Sequence, residues 1–213
     1  MVYYNLKHLT QPEDQRVLGP IQDDEALLLY SIIKGSRMRR VLEIGGLGGY
    51  SATNFLAALD RSGPGAVLYT VDLNPVPVIA RNHKVIVKNA LHITPADVDE
   101  LPLDMVFFDC HDMVQMDIYT AFVENRLITD DTVLALHDTN LHYEPLGMRW
   151  GPFVREEDGR EGWAHQTVER EMVNKFKTMG YDAFSLHTTA DKHHEGFPFR
   201  HGITVCQKFK YMS

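Results

Sequence analysis

The stretch that decides the fold is Val41-Leu-Glu-Ile-Gly-Gly-Leu-Gly-Gly-Tyr-Ser51. Its apolar start predicts a short buried strand, and the four glycines that fall within the next five residues predict a tight turn. The residues that follow, 51–59, have a composition compatible with a helix. Glycine lets the backbone bend sharply at such a turn and leaves no side chain in the way of another group. The stretch therefore predicts a strand, a tight turn and a helix in series.

Three kinds of glycine-rich turn compete for this stretch. A phosphate loop is excluded because no Gly-Lys-Ser/Thr follows the glycines. The dinucleotide fingerprint also fails, since Gly46 and Gly48 are followed by Ser51 where the third glycine belongs. Glu43, two residues before the first glycine, is moreover unfavourable for binding an anion at a helix start. The pattern that remains is Glu-x-Gly-x-x-x-Gly-Tyr-Ser, with a turn that binds nothing as the alternative.

Composition sets limits on the class of protein. The chain has 213 residues, 44% of them hydrophobic and 23% charged, which suits one globular domain with a sizeable core. The formal charge of −8 argues against a nucleic-acid partner. We find no secretion signal and no run near 18 apolar residues, so we expect a cytoplasmic protein without a membrane segment. Cys110 and Cys206 lie in or beside predicted strands and are expected to be reduced thiols.

Strands and helices alternate along the chain. We predict strands at 40–44, 67–71, 84–88, 105–108, 132–136, 181–187 and 202–209. We predict helices at 23–35, 50–60, 112–127 and 164–179, and a short helix after Pro77. This alternation predicts an α/β fold with a doubly wound, mostly parallel seven-stranded sheet, whose last two strands form an antiparallel hairpin.

The chain is predicted to be a single domain, 1–213, with two long loops. Residues 1–20 are predicted to be an irregular arm, which could pack against a second copy in a homo-oligomer. The loop at 139–162 is too long to be a simple connection and is interpreted as functional. A second polar loop, 188–201, is predicted to contribute with it to substrate selection.

Polar residues stand where the predicted parallel strands end: Glu43, Asp72, Asn89, Asp109 and His137-Asp138. Ligands of open α/β sheets lie across these carboxyl ends. Asp72, at the end of the second strand, is placed to accept hydrogen bonds from a ribose diol. The alternative for each single residue is helix capping, but several acids on separate strands favour a common site.

The ordered segments Val-Leu-Glu-Ile-Gly, Tyr-Thr-Val-Asp, Asn-Ala-Leu, Asp-Met-Val-Phe-Phe-Asp and His-Asp-Thr-Asn, within residues 20–209, resemble class I S-adenosylmethionine (SAM)-dependent methyltransferases. The resemblance is to small-molecule O-methyltransferases of the cephalosporin-hydroxylase-like and macrocin O-methyltransferase-like group. It implies a Rossmann-like fold in which the segment from Glu43 to Gly49 lines the methionine end of SAM, Asp72 holds the ribose, and Asn89 and Ala90 meet the adenine. The implied cofactor-binding set is Glu43, Gly45, Gly46, Gly49, Tyr50, Ser51, Asp72, Leu73, Asn89, Ala90 and Asp109.

The resemblance also implies a divalent metal, usually Mg²⁺, held by Asp109 and Asp138. Carboxylate oxygens are the ligands that Mg²⁺ prefers. The third ligand is either His137, which would favour Mn, Fe or Zn, or Asn140, which would keep the site oxygen-only. The alternative is that Asp109 and Asp138 only cap the segments that follow them.

The catalytic set predicted from this resemblance is His111, Asp109 and Asp138. His111 stands where related enzymes place a general base, and an imidazole has a suitable pKa; Asp112 is the alternative base. The other histidines of this region, His83 and His92, are interpreted as surface residues. The predicted function is methyl transfer from SAM to a hydroxyl of a small molecule. The alternatives are a metal-independent N-methyltransferase, a non-catalytic SAM- or nucleoside-binding protein, and a nicotinamide oxidoreductase.

Overall fold

The computed structural model describes residues 4–10, 12, 21–60, 62–110, 115–139, 168–186 and 202–209, and gives the backbone alone for 152–154 and 161–163. The strands are β1 Arg40–Ile44, β2 Val67–Asp72, β3 His83–Val87, β4 Met105–Phe108, β5 Val133–His137, β6 Pro152–Val154, β7 Glu161–Trp163, β8 Tyr181–Leu186 and β9 Ile203–Lys208. The helices are α1 Lys7–Thr10, α2 Asp23–Gly35, α3 Tyr50–Leu59, α4 Gln115–Glu124 and α5 Val168–Thr178.

Seven of the strands form one sheet in the order β3-β2-β1-β4-β5-β9-β8. The first five strands in this order are parallel, whereas β9 is antiparallel to both β5 and β8. The doubly wound sheet with an antiparallel C-terminal hairpin is therefore confirmed. A separate antiparallel pair is formed by β6, within the long 139–162 loop, and β7, which spans the end of that loop.

Alternate side chains of each strand pack on opposite faces of the sheet. One face carries Val41, Leu68 and Phe107 against α2 and α3, with the rings of Phe55 and Phe107 edge to face and 5.2 Å between centroids. The other face carries Leu42 and Val106 among the residues packed with α4 and α5. Both faces are covered, which explains why the central strands read as apolar runs without alternation.

Two predicted elements differ from the structure. The short helix after Pro77 is absent: residues 73–82 connect β2 to β3 without a regular helix. Only residues 78–82 separate Pro77 from β3, which is too short a segment for a stable helix. The arm is not wholly irregular, because α1 lies within it and packs on α3, where His8 Nε2 is 2.8 Å from Asn54 Oδ1.

The described helices are short. None of those in the described part of the chain has the length and hydropathy needed to cross a membrane.

Candidate functional site

The carboxyl ends of four parallel strands bring the predicted site residues to one edge of the sheet. Ile44 of β1 pairs with Val71 of β2 and with Phe108 of β4. Phe108 pairs in turn with Leu136 of β5. The residues that come next are therefore neighbours at that edge: Gly45, Asp72, Asp109 and His137. The edge lies where the strand order reverses, between β1 and β4, which is where open α/β sheets bind ligands.

The glycines in the turn after β1 differ in what surrounds them. A Cβ at Gly45, whose φ is +95°, would overlap the backbone oxygen of Asp109, and a Cβ at Gly46 would overlap the methyl group of Thr70. These two glycines are thus required by the packing of the turn against β4 and β2. A Cβ at Gly48 would meet nothing within 4 Å. Gly48 therefore borders open space that a ligand could enter.

Asp72 lies beside this turn and holds it in place. Its Oδ2 accepts hydrogen bonds from the amides of Gly46, at 3.0 Å, and Leu47, at 3.2 Å. Its Oδ1 accepts from the amide of Asn74 at 2.9 Å. A carboxylate oxygen has two lone pairs, so Oδ1 keeps the capacity to accept a further hydrogen bond. The Asp72 side chain is thus both part of the turn and available at its rim.

Glu43 is fully buried beneath the turn. The Ser51 hydroxyl donates to its Oε1, and the Thr70 hydroxyl donates to its Oε2 at 2.7 Å. Burial raises the pKa of Glu43 to about 7; the two hydroxyl hydrogen bonds oppose this rise, and the carboxylates of Asp109 and Asp72 add to it. Glu43 therefore joins β1 to β2 and to the first turn of α3 from inside the protein.

His83 extends this buried network, and its interpretation as a surface residue is wrong. It is 5% exposed, its Nε2 lies 2.8 Å from Thr70 Oγ1, and the Ile79 amide donates to its Nδ1 at 3.2 Å. Burial lowers the pKa of His83. Because Nδ1 accepts, the neutral ring donates from Nε2 to Thr70, whose hydroxyl donates to Glu43. The segment 73–82 covers this ring. His92, by contrast, is exposed as predicted.

A second cluster forms where β4 and β5 end. The Nδ1 atom of His137 lies 3.1 Å from Asp109 Oδ1 and 3.2 Å from Asp138 Oδ1. Burial alone would lower the pKa of His137, but the Asp138 and Asp109 carboxylates outweigh it and raise this pKa well above its usual value. Asp138 has a φ of +57°, a left-handed conformation that is uncommon outside glycine and recurs at functional sites.

The three side chains of this cluster could hold a metal ion. One ligand atom from each of Asp109, His137 and Asp138 lies within 4.8 Å of the others. Two carboxylates and one imidazole form a donor set that suits a divalent cation. Asn140, the other predicted third ligand, lies outside the described residues.

Glu25, which the sequence does not single out, lies against the opposite side of the His137 ring. It belongs to the first turn of α2 and is 1% exposed. Its Oε2 is 3.5 Å from His137 Nε2 and accepts a hydrogen bond from the Gln22 amide at 2.9 Å. The sequence shows only acids at a helix start, where they favour the helix dipole. Nothing in that pattern indicates that α2 packs against the end of β5.

The remaining predicted residues have varied surroundings. The Tyr50 hydroxyl donates to Asp23 at the start of α2, at 2.9 Å. Asn89 Oδ1 accepts from the Leu91 amide at 2.9 Å, and Ala90 is buried. Leu73 is exposed beside Asp72. The predicted base His111, its alternative Asp112, and the 188–201 loop lie outside the described residues, as does most of the 139–162 loop.

Known proteins are similar to this chain in structure and not in sequence. Neither a scan against models of protein families nor a search of curated proteins gives a match. Among solved structures, cofactor-bound Rv0187 from MTB is 19% identical, with a TM-score of 0.64 over 93% of this chain and 84% of that one. The O-methyltransferase TomG from Streptomyces achromogenes, involved in tomaymycin synthesis and solved with SAM, is 22% identical, with a TM-score of 0.57 over 89% of this chain and 82% of that one. An O-methyltransferase from Bacillus cereus, solved with S-adenosylhomocysteine (SAH), is 15% identical, with a TM-score of 0.58 over 87% of this chain and 81% of that one.

These similarities establish the fold. The chain has the Rossmann-like fold of class I methyltransferases, as the sequence resemblance implies, and the alignments cover most of both chains.

Proposed function

We propose that this chain is a SAM-dependent methyltransferase that acts on a hydroxyl oxygen of a small molecule. The observation that carries the proposal is the placement of a glycine turn with Asp72 beside the separate cluster of Asp109, His137 and Asp138, at one sheet edge. Structures of the same fold that are described as O-methyltransferases hold SAM or SAH, which supports the same ligand here. When bound, SAM would supply a methyl group already activated by its sulfonium.

The turn and the residues around Asp72 suit an adenosyl ligand. Gly48 borders open space at the turn, where the methionine end would lie. Oδ1 of Asp72 can accept from a ribose hydroxyl. Leu47, whose amide donates to Asp72, and Leu73, the next residue in the chain, are 78% and 69% exposed, and apolar surface of this kind suits a purine ring. Asn89 and Ala90 would meet the edge of that ring.

The buried glutamate has a supporting role in this proposal. Both of its oxygens accept hydroxyl hydrogen bonds from within the protein, so Glu43 would shape the turn that receives the methionine end rather than donate or accept at the ligand. Ser51 and Tyr50, tied to Glu43 and Asp23, would act in the same way.

The cluster beyond β4 would orient the acceptor. Asp109 and Asp138, with His137 or Asn140 as third ligand, would hold a divalent ion, Mg²⁺ or a transition metal. Such an ion lowers the pKa of a bound hydroxyl and fixes its position. His111 would accept the hydroxyl proton, with Asp112 as the alternative, and the loops 139–162 and 188–201 would select the acceptor.

A metal-independent methyltransferase, acting on nitrogen or oxygen, is the second candidate. It is favoured by the position of His137, whose ring lies between two carboxylates and has a raised pKa. A protonated imidazole there would offset part of the negative charge of these acids without an ion. The two candidates differ in metal dependence. EDTA should abolish turnover by the metal-dependent enzyme and leave turnover by the metal-independent enzyme intact.

The test is SAH formation from SAM with a panel of small hydroxylated and amino acceptors, with and without EDTA. Turnover with hydroxylated acceptors supports the proposal. Tight SAM binding without turnover on any acceptor would favour a non-catalytic binding protein. We expect the enzyme in the cytoplasm, because a buried reduced thiol such as Cys206 is usual in reducing compartments.

A further inference from the structure

Glu25 lies behind the proposed metal cluster, against the His137 ring. We propose that Glu25 is a positioning residue that holds the His137 ring with Nδ1 facing Asp109 and Asp138, so that the site binds a first-row transition ion in preference to Mg²⁺. This rests on the metal site of the proposed function and adds a choice of metal and a residue outside the ligand set.

The orientation of the His137 ring gives each of its nitrogens a different neighbour. Nδ1 is the atom near both carboxylates, at 3.1 and 3.2 Å, and Nε2 faces Glu25 Oε2 at 3.5 Å. The two ring nitrogens thus face different acids. A histidine that ligates a metal through one nitrogen usually donates the proton on its other nitrogen to a carboxylate or carbonyl. Glu25 is the carboxylate in that place.

Glu25 is more deeply buried than helix capping requires. A glutamate in the first turn of a helix can satisfy the backbone amide before the helix while remaining in water. Here Glu25 is 1% exposed, and its Oε1 has no hydrogen-bond partner in the described part of the chain. Burying a carboxylate is unfavourable unless it is paired. The capping bond to the Gln22 amide engages only Oε2, so capping alone does not explain a fully buried acid beside an imidazole.

The choice of metal follows from the donor set. Oxygen-only sites suit Mg²⁺, whereas an imidazole nitrogen shifts the preference toward Fe, Co, Ni, Cu or Zn. With Nδ1 fixed toward the carboxylates, the site offers one nitrogen and two carboxylate groups. Co²⁺ is a suitable probe, because its visible absorption depends on the number, geometry and type of its ligands and should change when the imidazole is lost.

The experiment compares Co²⁺ and Mg²⁺ binding by calorimetry in the wild type and in E25Q, with Co²⁺ absorption as a second readout. Glutamine keeps an oxygen for the Gln22 amide and is accepted in capping boxes, so a role limited to capping predicts no change. We expect the wild type to bind Co²⁺ at least about tenfold more tightly than Mg²⁺. We expect E25Q to weaken Co²⁺ binding by about 10- to 100-fold, because an uncharged amide oxygen is a weaker acceptor for the ring N–H than a carboxylate and raises the basicity of the histidine ligand less. The effect on Mg²⁺ should be smaller.

A matched control is D97N, which replaces the acid of another capping box, where Asp97 Oδ2 accepts from the Thr94 amide at 2.8 Å. It should leave both affinities unchanged. A double-mutant cycle with H137N tests whether Glu25 affects metal binding through the His137 ring. Because Glu25 acts through this ring, E25Q should have no further effect in the H137N background. Equal Co²⁺ affinity in E25Q and the wild type would overturn this inference alone.

Other outcomes separate this inference from the proposed function. A wild type that binds SAH but neither metal would overturn the metal site and this inference with it, leaving methyl transfer to the second candidate. A wild type that prefers Mg²⁺ would overturn the nitrogen-ligand assignment while leaving a metal-assisted methyltransferase intact. If E25Q loses its far-UV circular dichroism, E25D replaces it in the same comparison. The shorter side chain keeps the charge but withdraws it from Nε2, so E25D should also weaken Co²⁺ binding, and wild-type Co²⁺ affinity in a folded E25D would overturn the positioning role.

Discussion

Replacing Glu43 by glutamine should stabilise the fold at alkaline pH, because Glu43 is a buried carboxyl with a raised pKa. Its pKa is about 7 in the fold against an ordinary value of 4.5. A carboxyl with a raised pKa stabilises the fold while it is protonated, fully so below its unfolded-state pKa, and this contribution is lost as the pH rises through the folded-state value. Each tenfold change in a protonation equilibrium corresponds to about 1.4 kcal/mol. Ionising Glu43 in the fold should therefore cost about 3 kcal/mol.

The assay is urea unfolding of the wild type and E43Q at several pH values between 4 and 9. The difference in their free energies of unfolding should move by about 3 kcal/mol in favour of E43Q, with most of the change between pH 4.5 and pH 7. Other titrating groups are shared by the two proteins and cancel in this difference. Since domain stabilities are about 5–15 kcal/mol in total, an effect of this size is readily measured.

The control for replacing a carboxylate by an amide is D97N. Asp97 has a lowered pKa, because it accepts hydrogen bonds from Lys88 and from the Thr94 amide, so it titrates below this pH range and its effect should be constant across it. A constant difference between E43Q and the wild type from pH 4 to pH 9 would refute the reasoning. It would mean that the Ser51 and Thr70 hydroxyls stabilise the ionised form enough to offset burial.

Four further results are expected at the site. G45A should lose about 3 kcal/mol or more of stability in urea unfolding, because its Cβ would overlap Asp109 at a φ of +95°; wild-type stability would contradict this. G48A should stay within about 0.5 kcal/mol of the wild type yet bind SAH more weakly in calorimetry, since only open space faces its Cβ; unchanged affinity would place the ligand elsewhere. D72N should weaken SAH binding by about 10- to 100-fold, which corresponds to the free energy lost with a hydrogen bond to a charged group. Full SAH affinity in D72N would show that Asp72 does not bind the ribose. D138A should abolish metal-stimulated SAH formation while leaving SAH affinity near that of the wild type, and metal stimulation that survives the substitution would exclude Asp138 as a ligand.

Much of the fold could be predicted because its signals are local. The central strands are apolar runs bounded by turn residues, and the predicted bounds of β1 and β4 match those observed. Parallel pairing then requires the residues after β1, β2, β4 and β5 to meet at one edge. For this reason Asp72, Asp109 and Asp138 could be assigned to a common region before any coordinates were known.

The residues that sequence reasoning missed depend on packing between distant segments. Glu25 resembles any acid at a helix start, and its burial follows from the docking of α2 beside β5. His83 precedes Lys84 at the polar start of β3, and its burial follows from the cover provided by residues 73–82. Thr70 offered a weak signal, because a hydroxyl within the apolar run of β2 needs a buried partner.

The measurement that tests the central claim most directly is calorimetric titration with SAM, SAH and NADH, each with and without Mg²⁺. We expect micromolar binding of the two adenosyl ligands and no binding of NADH, because Glu43 and the missing third glycine do not suit a pyrophosphate. Binding of NADH without SAM or SAH would contradict the account and reassign the glycine turn to a dinucleotide.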